Sequence, residues 1–233
     1  FMSRRDTRYR ESRGISKEVL AETRWKTNKY GTACFPHHDA NREICGYERR
    51  GFDYTPKDGD EPKKMKGFTT DTEKGIYIAN GNCAQPAEIR FCESGVEALS
   101  AYQLASKEDR QRILFVSNAG ETGEKTEASI IALAQRNNIQ TFSTAYNQDK
   151  GGDNLTAKRH ERLAQQFPDA QITDMRDSLG LKPGEDMNIM LQRLNREALE
   201  HAEQQKLAAQ ATPEQPRKGK EQQPTEGREG QKN

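Results

Sequence analysis

The 233 residues carry 37 Lys and Arg against 36 Asp and Glu, with 32% hydrophobic residues and a mean hydropathy of −1.09. That length suits one large domain or two small ones with a tail, and so few apolar residues leave part of the chain outside any core. No apolar run approaches the about 18 residues of a membrane span, and no signal-peptide pattern opens the chain, so the expectation is a cytoplasmic protein with no membrane partner.

Phe1 ahead of Met2 is set aside as an internal start or a remnant. Cys34, Cys45, Cys83 and Cys92 form no C-x-x-C pair and read as reduced thiols. The charge is unevenly spread: residues 1 to 66 hold 16 Lys and Arg against 11 Asp and Glu, and residues 67 to 192 hold 13 against 18. A basic part facing an acidic one suits a place where phosphates meet metal ions, because the polyanion needs cationic side chains and the metal needs carboxylates. Solvated surface charge is the plain alternative.

Residues 4 to 30 read as a basic entry segment, with Ser16 capping a helix from Lys17 to Thr23 after the turn Arg13-Gly14-Ile15. Thr32 to His38 and Glu43 to Arg49 pattern as a hairpin turning on Asp39-Ala40-Asn41-Arg42. Cys34, His37, His38 and Cys45 fit neither half of a structural zinc site, because alternate strand residues face opposite sides. Phe52 to Pro62, with two prolines and a glycine, reads as a mobile loop, and Lys63, Lys64 and Lys66 follow it.

From Glu88 the pattern alternates. Strands are expected at Ile89–Cys92, Ile113–Val116, Ile139–Ala145 and Ala170–Thr173, and helices around Val96–Tyr102, Glu127–Asn137 and Asn154–Phe167. Such alternation argues an α/β fold with a parallel sheet covered on both faces, and right-handed crossovers put every strand's carboxyl end on one edge. Glu93, Asn118, Asn147 and Asp149 leave strands there. The octapeptide Tyr146 to Asp153 reads as a turn on Gly151-Gly152 that carries Asp149 and Asp153 to that edge, either as a cation site or as an ordinary surface turn. Gly120-Glu121-Thr122-Gly123-Glu124-Lys125-Thr126 lies where a phosphate-binding loop would, but Glu124 stands where that loop needs glycine. A loop lining the same cleft is the better reading. After Leu194 the sequence predicts a fraying helix to about Ala209 and then disorder.

Glu93-Ser94-Gly95 after one strand and Asn147-Gln148-Asp149 after a later one resemble the TOPRIM domain of DnaG-type primases, topoisomerases and some nucleases. Tyr9 to Ser16, Phe35-Pro36, Gly46 to Arg50 and Lys66 to Thr69 resemble the basic amino-terminal lobe that precedes TOPRIM in the primase RNA-polymerase domain. Cys92-Glu93-Ser94, Ala98-Leu99-Ser100 and Gly184 to Asn188 are similar to TOPRIM proteins of plasmids and conjugative elements, some fused to relaxases. The resemblance implies a primase-like lobe over residues 4–86, a TOPRIM domain over 87–192 and a polar tail over 193–233.

It also implies a site. Glu93, Asp149 and Asp186 would be catalytic, and with Asn147 and Glu97 would hold Mg²⁺ or Mn²⁺; Arg49, Arg50, Lys64 and Lys66 would contact template or nucleotide. Asn147 stands where the family has the first Asp of its pair, and an amide oxygen brings no charge to a two-metal site. The expected activity is primase-type nucleotidyl transfer on single-stranded DNA with nucleoside triphosphates, in mobile-element replication or transfer, with a relaxase or replication protein as possible partner. The alternatives are a catalytically impaired DNA-binding or docking module and a TOPRIM nuclease.

Overall fold

The computed structural model describes residues 6–56, 61–69, 72–120 and 123–211. The chain separates into one compact unit, Phe1–Arg196, and a second, Glu197–Asn233. The last helix begins in the first unit and runs on to Ala211. The predicted disorder beyond it lies outside the described residues, as does the middle of the expected loop, residues 57–60.

The amino-terminal part opens with two short helices, α1 (Arg8–Ser12) and α2 (Lys17–Glu22). Ser16 caps α2 as its position predicts, accepting from the Val19 N–H at 3.3 Å. Helix α1 was not legible in the sequence, and the reason is Arg10. Its side chain is fully buried, with the guanidinium 3.6 Å from the Trp25 ring centroid and a hydrogen bond to Thr27 Oγ1 at 2.8 Å. A cation over an aromatic face can be buried in this way because the ring offers its negative quadrupole.

Strands β1 (Lys26–Thr27), β2 (Ala33–His38), β3 (Ile44–Arg50) and β4 (Lys66–Phe68) form an antiparallel sheet in that order. The expected hairpin is β2–β3, in register Phe35 to Glu48, with an irregularity at His37/His38 and Arg42 at φ 71° in its turn.

The second sheet has the order β5-β7-β6-β8-β9, built from β5 (Tyr77–Ile78), β6 (Glu88–Cys92), β7 (Ile113–Ser117), β8 (Thr141–Thr144) and β9 (Gln171–Asp174). Strands β6, β7, β8 and β9 pair in parallel, and β5 closes one edge antiparallel to β7. Helices α3 (Gly95–Leu104), α4 (Lys107–Arg112), α5 (Glu124–Asn137), α6 (Lys150–Gln166), α7 (Arg176–Leu179) and α8 (Met187–Ala211) complete the chain. One buried cluster joins Val19, Trp25 and Phe35 to Leu99, Phe115, Met187 and Leu191. A second packs Ile89, Phe91, Phe142 and Tyr146 against Ile130, Leu133 and Leu163 from α5 and α6. Removing each such phenylalanine from water contributes about 2 kcal/mol, so the sheet is held from both faces.

The octapeptide departs from its expected form. Gly151 and Gly152 are the second and third residues of α6, which starts four residues ahead of the predicted helix. Asp149 caps it, with Oδ1 accepting from the Gly152 N–H at 2.8 Å. A Cβ on Gly152 would stand 1.8 Å from the Asn147 carbonyl oxygen, so glycine is required for close approach inside a helix.

Candidate active-site cleft

The carboxyl ends of β6 and β8 meet the first sheet across a cleft of 750 Å³. From the second sheet come Glu93, Glu97 and Asn147, and Asp186 stands just ahead of α8. From the first sheet and its flank come Arg50, Lys64 and Lys66. The structure thus brings together seven of the nine residues singled out in the sequence. Arg49 is on the other face of β3, donating to the Phe68 carbonyl at 2.8 Å, and is not in the lining. Asp149 is exposed at the edge, one carboxylate oxygen committed to its helix cap.

Local structure explains why Glu93 is left free. Ser94 caps α3 and donates to Glu97 Oε1 at 2.7 Å, while Glu97 Oε2 accepts from the Glu93 N–H at 3.1 Å. This is a variant of the Ser-x-x-Glu capping box, reaching one residue further back. Because Ser94 and Glu97 satisfy the helix end, the Glu93 carboxylate makes no hydrogen bond or ion pair among the described residues. Asp186, by contrast, also works as a cap, its Oδ1 accepting from the Ile189 N–H at 2.7 Å.

Electrostatics mark the same corner. Burial pushes the Glu93 carboxyl above its ordinary range, Arg50 opposes this, and Asp149 and Asp186 add to it. Glu97 is pushed well up by burial and then by the neighbouring Asp186 charge, against the hydrogen bond from Ser94. Carboxylates crowded this way favour a cation or a proton between them. The Oδ1 of Asn147 is buried with no hydrogen-bond partner, an acceptor left without a donor. That donor set fits a hard divalent cation in chemistry. Among the described residues, however, no three His, Cys, Asp or Glu side chains are gathered as a group that could hold one.

Glu48, not singled out in the sequence, holds the wall of the cleft in place. It is 1% exposed, in the middle of β3, and joins the two sheets. One oxygen accepts from Arg50 Nε at 2.7 Å, and the other accepts from the Gly95 N–H at 2.8 Å and from Ser117 Oγ at 3.2 Å. Burial pushes its pKa up, but His37, Arg50 and the Gly95 N–H more than offset this and hold it below its ordinary value. Arg50 reaches the cleft because Glu48 holds it. A Cβ on Gly95 would meet the Phe35 ring at 2.4 Å, so the start of α3 lies directly on the first sheet. Tyr9 and Phe52 also went unassigned; they meet edge-to-face at 5.4 Å in the cleft lining.

The near-match to a phosphate-binding loop resolves differently from its expected place at the cleft. Residues 121 and 122 lie outside the described residues, and Gly120 lines a separate 130 Å³ cavity with Asn118, Tyr146 and Arg159. Lys125 pairs with Glu73 at 3.0 Å.

This arrangement is the TOPRIM fold with a smaller basic lobe against it. The family profile described as "Protein of unknown function (DUF3991)" matches residues 9–85, the first lobe and its approach to the second sheet. No curated protein matches the chain. Among solved structures, the Aquifex aeolicus primase (zinc-binding and RNA polymerase domains) aligns with a TM-score of 0.56 at 12% identity, over 84% of this chain and 54% of that one. The E. coli primase catalytic core aligns with a TM-score of 0.51 at 18% identity, over 86% and 77%. The structure described as the DnaG catalytic core gives 0.50 at 18% identity over the same shares. At such identities the likeness is one of fold, so this chain has the fold of the DnaG-type primase core and spans about half of the Aquifex protein's chain.

Proposed function

We propose that this protein is a primase-type nucleotidyltransferase that uses Mg²⁺ or Mn²⁺ to join nucleoside triphosphates on single-stranded DNA. The observation that carries the reading is the cleft itself, where a Glu93 carboxylate unpartnered among the described residues and the crowded Glu97 and Asp186 face Arg50, Lys64 and Lys66. Phosphoryl transfer needs that pairing of charges, carboxylates for cations and cations for phosphates. Glu93, Glu97, Asn147 and Asp186 would hold the metal, with the second carboxylate oxygen of Asp149 completing the set. When bound, the metal would offset charge on the triphosphate. Arg50, fixed by Glu48, would orient phosphates, Lys64 and Lys66 would take the template backbone, and Glu93 would hold or move a proton. Arg49 would support template binding from the rear of β3.

The motif likenesses at Cys92-Glu93-Ser94 and Gly184 to Asn188 support a setting in plasmid or conjugative-element replication or transfer, with a relaxase or replication protein as partner. The direct test is primer synthesis from ribonucleotides on single-stranded DNA. Metal-dependent products are expected, and their loss is expected in Glu93→Gln. One observation favours a second reading, a DNA-binding or docking module without catalysis: the site has an amide at Asn147, and a cap occupies Asp149. That reading predicts salt-sensitive DNA binding unaffected by chelation and by Glu93→Gln, with no product.

A further inference from the structure

A second set of cationic side chains lies beside the edge strand β5 of the second sheet, apart from the cleft. Among the described residues most arginines pair with carboxylates, as Arg50, Arg90, Arg159, Arg176 and Arg193 do. Arg24, Arg42 and Arg136 form no ion pair among the described residues, and all three line one cavity of 420 Å³. Its apolar wall comes from Ile76, Leu114 and Leu133, which are buried. The cavity shares no lining residue with the cleft.

Two of the three arginines are held in place. The Arg24 guanidinium carbon lies 2.5 Å from where a Cβ on Gly81 would stand, so the glycine makes room for it. Arg136 Nη1 donates to the Ala40 carbonyl at 2.5 Å, tying α5 to the β2–β3 turn. In that turn Arg42 has φ 71°, a left-handed conformation in which glycine or asparagine is the easier occupant. Asp39, also in the lining, accepts from the Asn41 and Glu43 N–H groups and pairs with none of the arginines. The lining also includes His38, whose buried Nδ1 has no hydrogen-bond partner; burial and then the Arg24 charge favour its neutral form. The balance is therefore cationic above an apolar wall.

Forked guanidinium donors match phosphate oxygens bidentately, and an apolar wall accepts a flat organic body. A volume of 420 Å³ is within the roughly 300–1,000 Å³ typical of small-molecule sites. From this geometry we infer that the cavity binds a nucleoside polyphosphate, with its phosphates on Arg24, Arg42 and Arg136 and its base against Ile76, Leu114 and Leu133. The inference does not depend on the activity proposed for the cleft.

Isothermal titration of the full chain in EDTA, with ATP, adenosine and inorganic triphosphate as separate probes, tests it. ATP should bind more tightly than either part alone. Arg24→Ala with Arg136→Ala should weaken ATP binding at least tenfold, and so should Arg42→Glu alone. All three positions are exposed, and an unchanged thermal midpoint checks that the variants fold. The assignment is overturned if ATP does not bind at millimolar concentration, or if triphosphate alone binds as tightly. It is overturned equally if binding survives the arginine substitutions but is lost in Lys64→Ala with Lys66→Ala, which would place the ligand in the cleft. Arginine-dependent binding of a single-stranded oligonucleotide in place of ATP would assign the surface to nucleic acid and also overturn it.

Discussion

Two corners of the same sheet edge solve one problem differently. At each, a strand leads into a helix whose first turn contains a glycine, and a carboxylate accepts that glycine's N–H. At the Glu93 corner the carboxylate comes from the other sheet, Glu48 to Gly95, and Ser94 caps the helix. At the Asp149 corner it is local, Asp149 to Gly152. The first arrangement leaves the Glu93 carboxylate without a hydrogen bond among the described residues, whereas the second commits half of the Asp149 carboxylate to its helix. A carboxylate is thus left free where capping has been delegated.

The largest effect should come from breaking the Glu93 corner at Glu48. Glu48→Ala removes a buried carboxylate from Arg50, Gly95 and Ser117 and should cost about 4 kcal/mol of stability by urea denaturation. A loss well below this would mean that the two sheets are not held together there. At the other corner, Gly152→Ala forces a methyl onto the Asn147 carbonyl and should cost about 3 kcal/mol or more, read in the same way. Little change would show that the first turn of α6 gives way easily.

A pH series in EDTA isolates the crowded acids. Because Glu97 and Glu93 have raised pKa values in the folded state, their contribution is fully present below the ordinary carboxylate range. It is lost as pH rises from there through the raised values. Stability of the metal-free protein should therefore fall across that window, less so in Glu97→Gln. Unchanged profiles in wild type and variant would contradict the crowding.

The smallest effect separates the two duties of Asp149. Asp149→Ala should cost about 1 kcal/mol as a lost cap, while Asp149→Asn, an equally good cap, should leave stability unchanged. If Asn also preserves Mn²⁺ affinity, Asp149 serves the helix alone.

The sequence made the strand–helix alternation legible because buried strands and amphipathic helices have distinct periods, as Ile113–Val116 and the Ile130, Leu133 and Ala134 face show. It also located Ser16, the β2–β3 hairpin and most of the cleft. Strands β1, β4 and β5 are two or three residues long and exist only through their partners, so no local pattern announces them. Helix α4, Lys-Glu-Asp-Arg-Gln-Arg, has no apolar residue to show a period. Gly151-Gly152 read as a turn because the carbonyl that makes Gly152 necessary belongs to Asn147 in the folded chain. Glu48 sits among charged hairpin residues, and only its contacts with the other sheet distinguish it.

Mn²⁺ binding, followed by electron paramagnetic resonance in wild type and Glu93→Gln, tests the central claim most directly. The account predicts that wild type binds Mn²⁺ and that the single substitution weakens binding at least tenfold while the protein stays folded. Equal binding in both would contradict the assignment of Glu93 as the carboxylate left free for the metal.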